Sequence, residues 1–184
     1  MNRIASFLTG ATLGLVCLHA FAQSARAQTQ APSLCAANEE PVFSCTLQGS
    51  SRKMVSLCAS PASTQGERHF HYLYGRPSKI ELRYPASGNS HEAFTFTRLF
   101  YAGGTFGYAH SLRNEDYKYI LYSIEGANDR SGLLVQREGQ LGAAREMACR
   151  PSTLVETKDT ELVRITSEWK VDADIEAHGL PSTR

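Results

Sequence analysis

Two histidines one residue apart form the pair of side chains in this sequence with the clearest metal-binding potential. His69 and His71 flank Phe70, and alternate residues of a β-strand point to one face, where two imidazoles can hold one metal ion. A third ligand has to come from His91, His110 or a carboxylate, and none of these stands at a diagnostic spacing. The same pattern is typical of an ordinary strand whose aromatic face, Phe70, Tyr72 and Tyr74, packs into a core while the histidines look outward. We favour the interpretation as an ordinary strand and predict no metal and no cofactor. A metal-binding protein that uses His69 and His71 is the alternative.

Residues that catalyse hydrolysis or bind nucleotides are not arranged in a recognisable pattern. The sequence has no G-x-S-x-G motif for a serine nucleophile, no Walker loop and no dinucleotide fingerprint. Four carboxylates at predicted loops and strand edges are most simply solvated: Glu125, Asp129, Glu138 and Glu146. A metal-assisted enzyme centred on His69 and His71 is the remaining catalytic hypothesis. We expect that the protein is not an enzyme.

A stretch rich in glycine and aromatic residues, YAGGTFGYAH at residues 101–110, supports two interpretations. It separates two predicted strands, and Gly103 and Gly104 permit the positive φ of a tight reversal. A turn is therefore sufficient to explain the glycines. The aromatic side chains around them offer large, rigid contacts, which suits a recognition loop. The candidate binding residues are Tyr101, Gly103, Gly104, Thr105, Phe106 and Tyr108.

Four cysteines follow the first 27 residues, and their number and spacing favour disulfides over zinc. They are Cys35, Cys45, Cys58 and Cys149, with no C-x-x-C pair and three possible pairings. The runs VFSCTL and KMVSLCA flank QGSSR, which predicts a hairpin. A turn around Ser51-Arg52 places Cys45 opposite Cys58. We therefore predict a Cys45–Cys58 bridge, which leaves Cys35 to pair with Cys149.

The first 27 residues have the parts of a secretory signal peptide. Arg3 precedes an apolar run and small residues follow it, so cleavage fits after Ala22 or, as we favour, after Ala27. Of the 19 basic residues, Arg3 and Arg26 fall in this leader, which leaves 17 against 18 acidic residues. This balance predicts neither a nucleic-acid surface nor an anionic-membrane surface. No second apolar stretch reaches the ~18 residues of a membrane span, so we expect a periplasmic or secreted protein without membrane insertion.

Residues 42–150 have the pattern of an antiparallel all-β domain. Short apolar or alternating runs are separated by Gly, Pro, Ser and Asn clusters, which predicts a barrel or sandwich of about eight strands. The run YKYILYSI is apolar on both faces and is predicted to be a central strand. The predicted core residues are Ile80, Leu82, Tyr84, Phe94, Phe96, Tyr119, Leu121, Leu133 and Val135.

The segments on either side of this domain have a different character. Residues 28–41 are predicted to form an N-terminal arm. Residues 151–170 are predicted to hold a short helix, with Asp159 or Thr160 as its N-cap. The residues at helical spacing in that segment are Leu162, Ile165 and Trp169. Residues 171–184 are polar without periodicity, which predicts a disordered tail.

A resemblance to known exported proteins rests on four short motifs. They are V-F-S-C and K-x-V-S-L-C, each ending in cysteine, the Gly-Gly step and YKYILYS. From Cys35 to Cys149 the chain resembles a group of small exported proteobacterial proteins and, more distantly, the periplasmic inhibitors of invertebrate-type lysozyme. The resemblance implies an antiparallel β protein that inserts a loop into the active-site cleft of a lysozyme. The inhibitor signature S-G-x-x-Y aligns with residues 102–106, where Ala102 replaces the serine and Phe106 the tyrosine. A structural, envelope-associated β domain without inhibitory activity is the alternative.

Overall fold

Two antiparallel five-stranded sheets make up the fold in a computed structural model that describes residues 32–49, 51–86, 92–127, 129–140 and 143–183. The first sheet contains Glu40–Thr46 (β1), Met54–Ala59 (β2), Phe70–Arg76 (β3), Lys79–Tyr84 (β4) and Val155–Glu156 (β10), in the order β10-β1-β2-β3-β4. The second contains Phe94–Phe100 (β5), Phe106–Asn114 (β6), Tyr117–Glu125 (β7), Arg130–Arg137 (β8) and Arg145–Ala148 (β9), in chain order. The all-β prediction is confirmed as a sandwich, because the strands form two sheets and not one closed barrel. The predicted signal peptide lies outside the described residues.

The main hydrophobic core lies between the two sheets. Alternating residues of the strands supply it, including Phe43, Val55, Leu57 and Tyr72 from the first sheet and Phe94, Leu112, Leu121 and Leu133 from the second. Of the nine predicted core residues, all except Ile80 belong to this core or pack against it. Ile80 is 42% exposed, so its prediction was wrong. A bulge between Tyr74 and Gly75 changes the register of β4 at this point and ends the simple alternation.

The middle strand of the second sheet is β7, as its double-sided apolar pattern predicts. Leu121 faces the main core, whereas Ile120 and Tyr122 belong to a second buried cluster on the other face of the sheet. That second cluster also includes Ile175, from the C-terminal segment. The second sheet is therefore covered on both faces, and this explains why β7 has apolar residues in both phases.

The C-terminal segment is helical over more of its length than the sequence predicts. The predicted helix is present as Thr160–Ser167 (α1), with the Asp159 side chain as its N-cap. Trp169 follows this helix and stacks on Phe94 in the main core, with ring centroids 5.3 Å apart. The prediction of a disordered tail was wrong, because Ala173–His178 forms a second helix (α2). Within the described residues, neither helix has the length and hydropathy of a membrane span.

The four cysteines form two disulfides, but with a pairing different from the predicted one. Cys35 is bonded to Cys58, and Cys45 is bonded to Cys149. The β1–β2 hairpin is present, but its register places Cys45 opposite Val55. Cys45 lies in the main core beside Val55, whereas Cys58 is three positions further along β2 and so points to the opposite face. A Cys45–Cys58 bridge is therefore geometrically impossible in this register.

Candidate functional site

The β5–β6 hairpin ends in a five-residue loop, residues 101–105, which carries most of the candidate binding residues. The last paired residues below it are Phe100 and Phe106, and Tyr101 N donates a hydrogen bond of 2.8 Å to Thr105 O across the loop. Gly103 and Gly104 both have φ of 73°. A Cβ atom added at either glycine meets no heavy atom within 4 Å. The glycines therefore make the turn, and the end of the loop faces open space.

Exposed aromatic side chains surround this loop. Phe100 is 78% exposed, Phe106 is 51% exposed and Tyr101 is 39% exposed. Three large hydrophobic residues thus lie in solvent within seven positions of the chain. Single exposed apolar residues are ordinary on a protein surface, whereas a group of them is typical of an interaction site. We refer to Phe100, Tyr101, Phe106 and the loop 101–105 as the hairpin tip.

The hairpin tip is supported closely by the neighbouring β7–β8 loop. A Cβ atom at Gly126 would lie 2.9 Å from both Cα and Oγ1 of Thr105, so the two loops touch at this glycine. Gly126 N donates a 2.7 Å hydrogen bond to Asp129 Oδ1, which fixes the β7–β8 loop. A Cβ atom at Gly107 would lie 2.1 Å from the carbonyl oxygen of Ser123. The tip is therefore held on tightly packed backbone, and Thr105 turns toward that support.

Tyr108, a predicted binding residue, is directed into the protein. Its hydroxyl donates a hydrogen bond to Glu156 of β10, and its ring stacks on Phe96 at 6.0 Å and lies 5.2 Å from His110. Burial, together with the neighbouring Glu156 carboxylate, raises the pKa of the Tyr108 phenol well above its usual value. Tyr108 therefore links the two sheets and does not belong to the hairpin tip.

Grooves run along both sides of the hairpin tip. One, of about 550 Å³, lies between β5 and the C-terminal segment and includes Leu99, Phe100, Tyr101 and Ile175 in its lining. The other, of about 680 Å³, includes Phe106, Gly126, Arg130 and Glu156. The tip is thus a ridge between two concave surfaces, with apolar rings on its flanks and glycine at its end. Such a ridge can enter a cleft of a larger partner and make mainly aromatic contacts there.

A third groove, of about 910 Å³, lies at the opposite end of the sandwich and is lined in part by Tyr74, Tyr119 and Leu82. Lys53 Nζ lies 2.6 Å from Glu81 Oε2 and 5.0 Å from the centroid of the Tyr74 ring. These contacts pair two of the charged side chains that line the groove, whose lining also includes Glu115 and Arg145. Its geometry favours no particular ligand.

The two histidines of the predicted metal pair are separated by the structure. His69 is exposed before the start of β3, whereas His71 is buried within the strand and its Nε2 lies 3.2 Å from Glu39 Oε2. Burial lowers the pKa of His71, and Glu39 only partly opposes this effect. His110, a possible third ligand, lies instead among aromatic rings of the core, and His91 is outside the described residues. No spacing in the sequence points to Glu39, because the chain reverses direction twice between Glu39 and His71.

Neither a family model, nor a curated protein, nor a solved structure matches this chain. Its function is therefore inferred from its own residues and their geometry.

Proposed function

We propose that this chain is an exported binding protein of the lysozyme-inhibitor type, which inserts the hairpin tip into a cleft of its protein partner. The observation that carries the proposal is the pair Phe100 and Phe106, opposite each other across the hairpin and both exposed below an open glycine turn. Two disulfides support export, because such bridges are typical of oxidising compartments. The periplasm is the compartment that the sequence favours.

The chemistry of the tip indicates how it would recognise a partner. The inhibitor signature has hydroxyl groups at the positions of Ala102 and Phe106, and this chain lacks both. Tyr108 cannot replace them, since its hydroxyl is bonded to Glu156. Tyr101 supplies the exposed phenol of the tip, and Phe100 and Phe106 supply apolar rings. Recognition would therefore depend on ring stacking and on one phenol more than on hydrogen bonds to catalytic carboxylates.

The test is inhibition of purified lysozymes of the chicken, goose and invertebrate types, measured as the rate of cell-wall lysis against inhibitor concentration. Because the signature hydroxyls are absent, we expect weak or no inhibition of at least two of these types. For any type that is inhibited, we expect Tyr101→Ala and Phe106→Ala to weaken binding by about 2 kcal/mol or more, as truncation of a central interface residue does. That loss corresponds to about a thirtyfold increase in the inhibition constant.

The matched control for the tip is Tyr117→Ala. Tyr117 is 41% exposed, like Tyr101, but it follows the β6–β7 turn at the other end of the sheet. The control should leave inhibition unchanged. If wild-type protein inhibits none of the three types, the proposal fails, and the alternative of an envelope-associated domain without inhibitory activity is favoured.

A further inference from the structure

Four side chains that can bind a metal meet beneath the N-terminal arm, on the first sheet. Cys58 and His71 are directly opposite each other on β2 and β3, and Cys35 of the arm is bonded to Cys58. Glu39 stands just before β1. The Cys58 sulfur, an imidazole nitrogen of His71 and a carboxylate oxygen of Glu39 all lie within 4.8 Å of one another. Sheet pairing and the disulfide thus bring together residues from three places in the sequence.

The burial and hydrogen bonding of this cluster distinguish it from a surface group of polar residues. Cys58 is fully buried and His71 is 6% exposed. His71 Nε2 is buried without a well-formed hydrogen bond among the described residues, although Glu39 Oε2 is 3.2 Å away. The other face of β3 carries Phe70 and Tyr72 in the main core, so packing there does not explain why a histidine is buried on this face. An imidazole nitrogen that is buried next to sulfur and carboxylate is a ready metal ligand.

The geometry fits zinc in particular. Zn²⁺ is held by thiolate, imidazole and carboxylate ligands at about 2.0–2.3 Å, so the ligand atoms of a tetrahedral site are about 3.3–3.8 Å apart. The atoms of Cys58, His71 and Glu39 lie within 4.8 Å of one another, so they would have to approach by at most about 1–1.5 Å to reach those separations. The sulfurs of a disulfide carry no negative charge and are poor zinc ligands. Two of the four ligands, and the negative charge that they carry, therefore appear only when Cys35 and Cys58 become thiolates.

We propose that Cys35, Cys58, His71 and Glu39 form a zinc site when the Cys35–Cys58 bridge is reduced, so that the same residues hold either a disulfide or Zn²⁺. A dithiol reductant breaks the S–S bond by thiol–disulfide exchange, in which the reductant becomes a disulfide and both cysteines become thiols. Zn²⁺ then binds the two sulfurs and releases their two protons to solvent. This site is on the first sheet and does not depend on the proposed role of the hairpin tip, which is part of the second sheet.

The structure also shows why this bridge would be reduced before the other one. Cys35 is partly exposed on the arm, whereas Cys45 and Cys149 are both buried in the main core. An incoming thiolate therefore has easier access to Cys35 than to either core cysteine, and its attack on the Cys35 sulfur releases the Cys58 thiolate beside His71. The core bridge remains intact and holds β1 to the end of β9.

The arm has its own contacts, which keep Cys35 near the cluster after reduction. Leu34 N donates a 2.9 Å hydrogen bond to Ser56 Oγ, and Ser44 Oγ donates a 3.2 Å hydrogen bond to Pro32 O. Ala36 N donates a 2.9 Å hydrogen bond to Glu39 Oε2. These contacts hold the arm beside the cluster independently of the covalent bond.

The test uses the full chain, oxidised or mildly reduced with a phosphine, and Co²⁺ as a spectroscopic substitute for Zn²⁺. We expect reduced protein to bind equimolar Co²⁺ with sulfur-to-metal charge-transfer bands and tetrahedral d–d bands, which Zn²⁺ abolishes. Oxidised protein should show none of these bands. Peptide mapping after thiol alkylation identifies which bridge was reduced, and circular dichroism confirms that the reduced chain is folded.

Single substitutions assign the ligands. His71→Ala and Glu39→Gln should each weaken Co²⁺ binding by more than about tenfold, since even residues outside the first coordination shell change metal affinity by 10–100-fold. His69→Ala is the matched control and should bind like wild type, because His69 is exposed outside the cluster. The double variant Cys35→Ser, Cys58→Ser should lose the charge-transfer bands.

Three results would overturn the proposal. The first is a reduced, folded chain that shows no thiolate–Co²⁺ bands. The second is unchanged affinity in both His71→Ala and Glu39→Gln. The third is persistence of the bands in the double serine variant, which would assign the metal to the core cysteines.

Discussion

Lys118 Nζ lies 3.0 Å from Asp172 Oδ1, and both side chains are almost fully buried where the C-terminal segment covers the second sheet. Asp172 also accepts a 2.6 Å hydrogen bond from the Ser111 hydroxyl. Its Oδ1 caps α2 by accepting hydrogen bonds from the backbone nitrogens of Asp174 and Ile175. Burial disfavours the ionised form of Asp172, but these hydrogen bonds and Lys118 outweigh it and lower its pKa. A buried cation on β7 thus has its partner in the segment that the sequence suggests is disordered.

The first prediction concerns this ion pair. Asp172→Ala should lower the free energy of unfolding by about 3–5 kcal/mol, because it leaves the buried Lys118 ammonium without its main partner. Asp174→Asn is the control, since Asp174 contacts the same ammonium at 2.8 Å but is exposed. Loss of an exposed partner should cost less than about 1 kcal/mol. Urea denaturation of both variants measures the difference, and equal losses would contradict the assigned role of burial.

The tail shows where sequence analysis reaches its limit. Periodicity predicts α1, because Leu162 and Ile165 recur on one helical face and Asp159 precedes them. The following segment has only isolated apolar residues, of which Ile175 and Leu180 reach the second cluster. They gain their burial from the outer face of a sheet formed by distant strands, and local patterning contains no signal for that face.

The disulfides and the candidate site show the same limit at finer scale. The strands and hairpins were predictable from the sequence. The disulfide pairing was not, because a register shift by an odd number of residues moves Cys58 to the opposite face of the sheet from Cys45. Phe106 of the hairpin tip and Tyr108, two residues further along β6, have the same phase on the strand. Tyr108 is covered by Glu156 of β10 and by the rings of Phe96 and His110, whereas Phe106 is exposed.

The second prediction compares two residues that the sequence assigned to the core. Leu121→Ala should destabilise the protein by about 2–5 kcal/mol, because Leu121 is buried between the sheets and its truncation leaves a cavity. Ile80→Ala should change stability by less than about 1 kcal/mol, because Ile80 lies in solvent beyond the β4 bulge. Chemical denaturation of the two variants checks the phase of the strands directly, and similar losses in both would contradict it.

The third prediction concerns the two disulfides. The Cys45–Cys149 bridge joins residues 104 positions apart, and the Cys35–Cys58 bridge joins residues 23 apart. The chain-entropy relation gives about 4.7 kcal/mol for the longer loop and about 3.4 kcal/mol for the shorter one. Replacing each pair with alanine and measuring unfolding should therefore show the larger loss for Cys45 and Cys149. Non-reducing peptide mapping that finds Cys45 joined to Cys58 would exclude this connectivity.

The fourth prediction is a pH dependence from His110. Its ring lies among those of Phe96, Tyr108 and Trp169, and burial lowers its pKa to about 3. The unfolded chain binds this proton near pH 6.5 but the folded chain does not, so stability falls as the pH drops below 6.5 and continues to fall down to about 3. Between pH 7.5 and 5 the contribution of His110 should be a loss of about 2 kcal/mol.

His110→Phe isolates this contribution, because phenylalanine keeps an aromatic ring and cannot be protonated. The other histidines titrate equally in both proteins, so the difference in unfolding free energy between wild type and variant should change by about 2 kcal/mol over the same pH range. A difference that is independent of pH would mean that His110 is accessible to protons in the folded state.

The last prediction separates the turn from the recognition surface at the hairpin tip. Gly103→Ala and Gly104→Ala should each lower stability by about 1 kcal/mol, because both glycines have φ of 73°, where alanine is strained. An added Cβ atom meets nothing within 4 Å at either position, so strain of the backbone is the physical cause and not a clash. Tyr101→Ala should leave the melting temperature nearly unchanged, because the Tyr101 ring is exposed and the loop hydrogen bond uses its backbone nitrogen. Thermal melts of the three variants test this directly. A large loss of stability in Tyr101→Ala would make its ring a structural support of the turn and would remove it from the surface available to a partner.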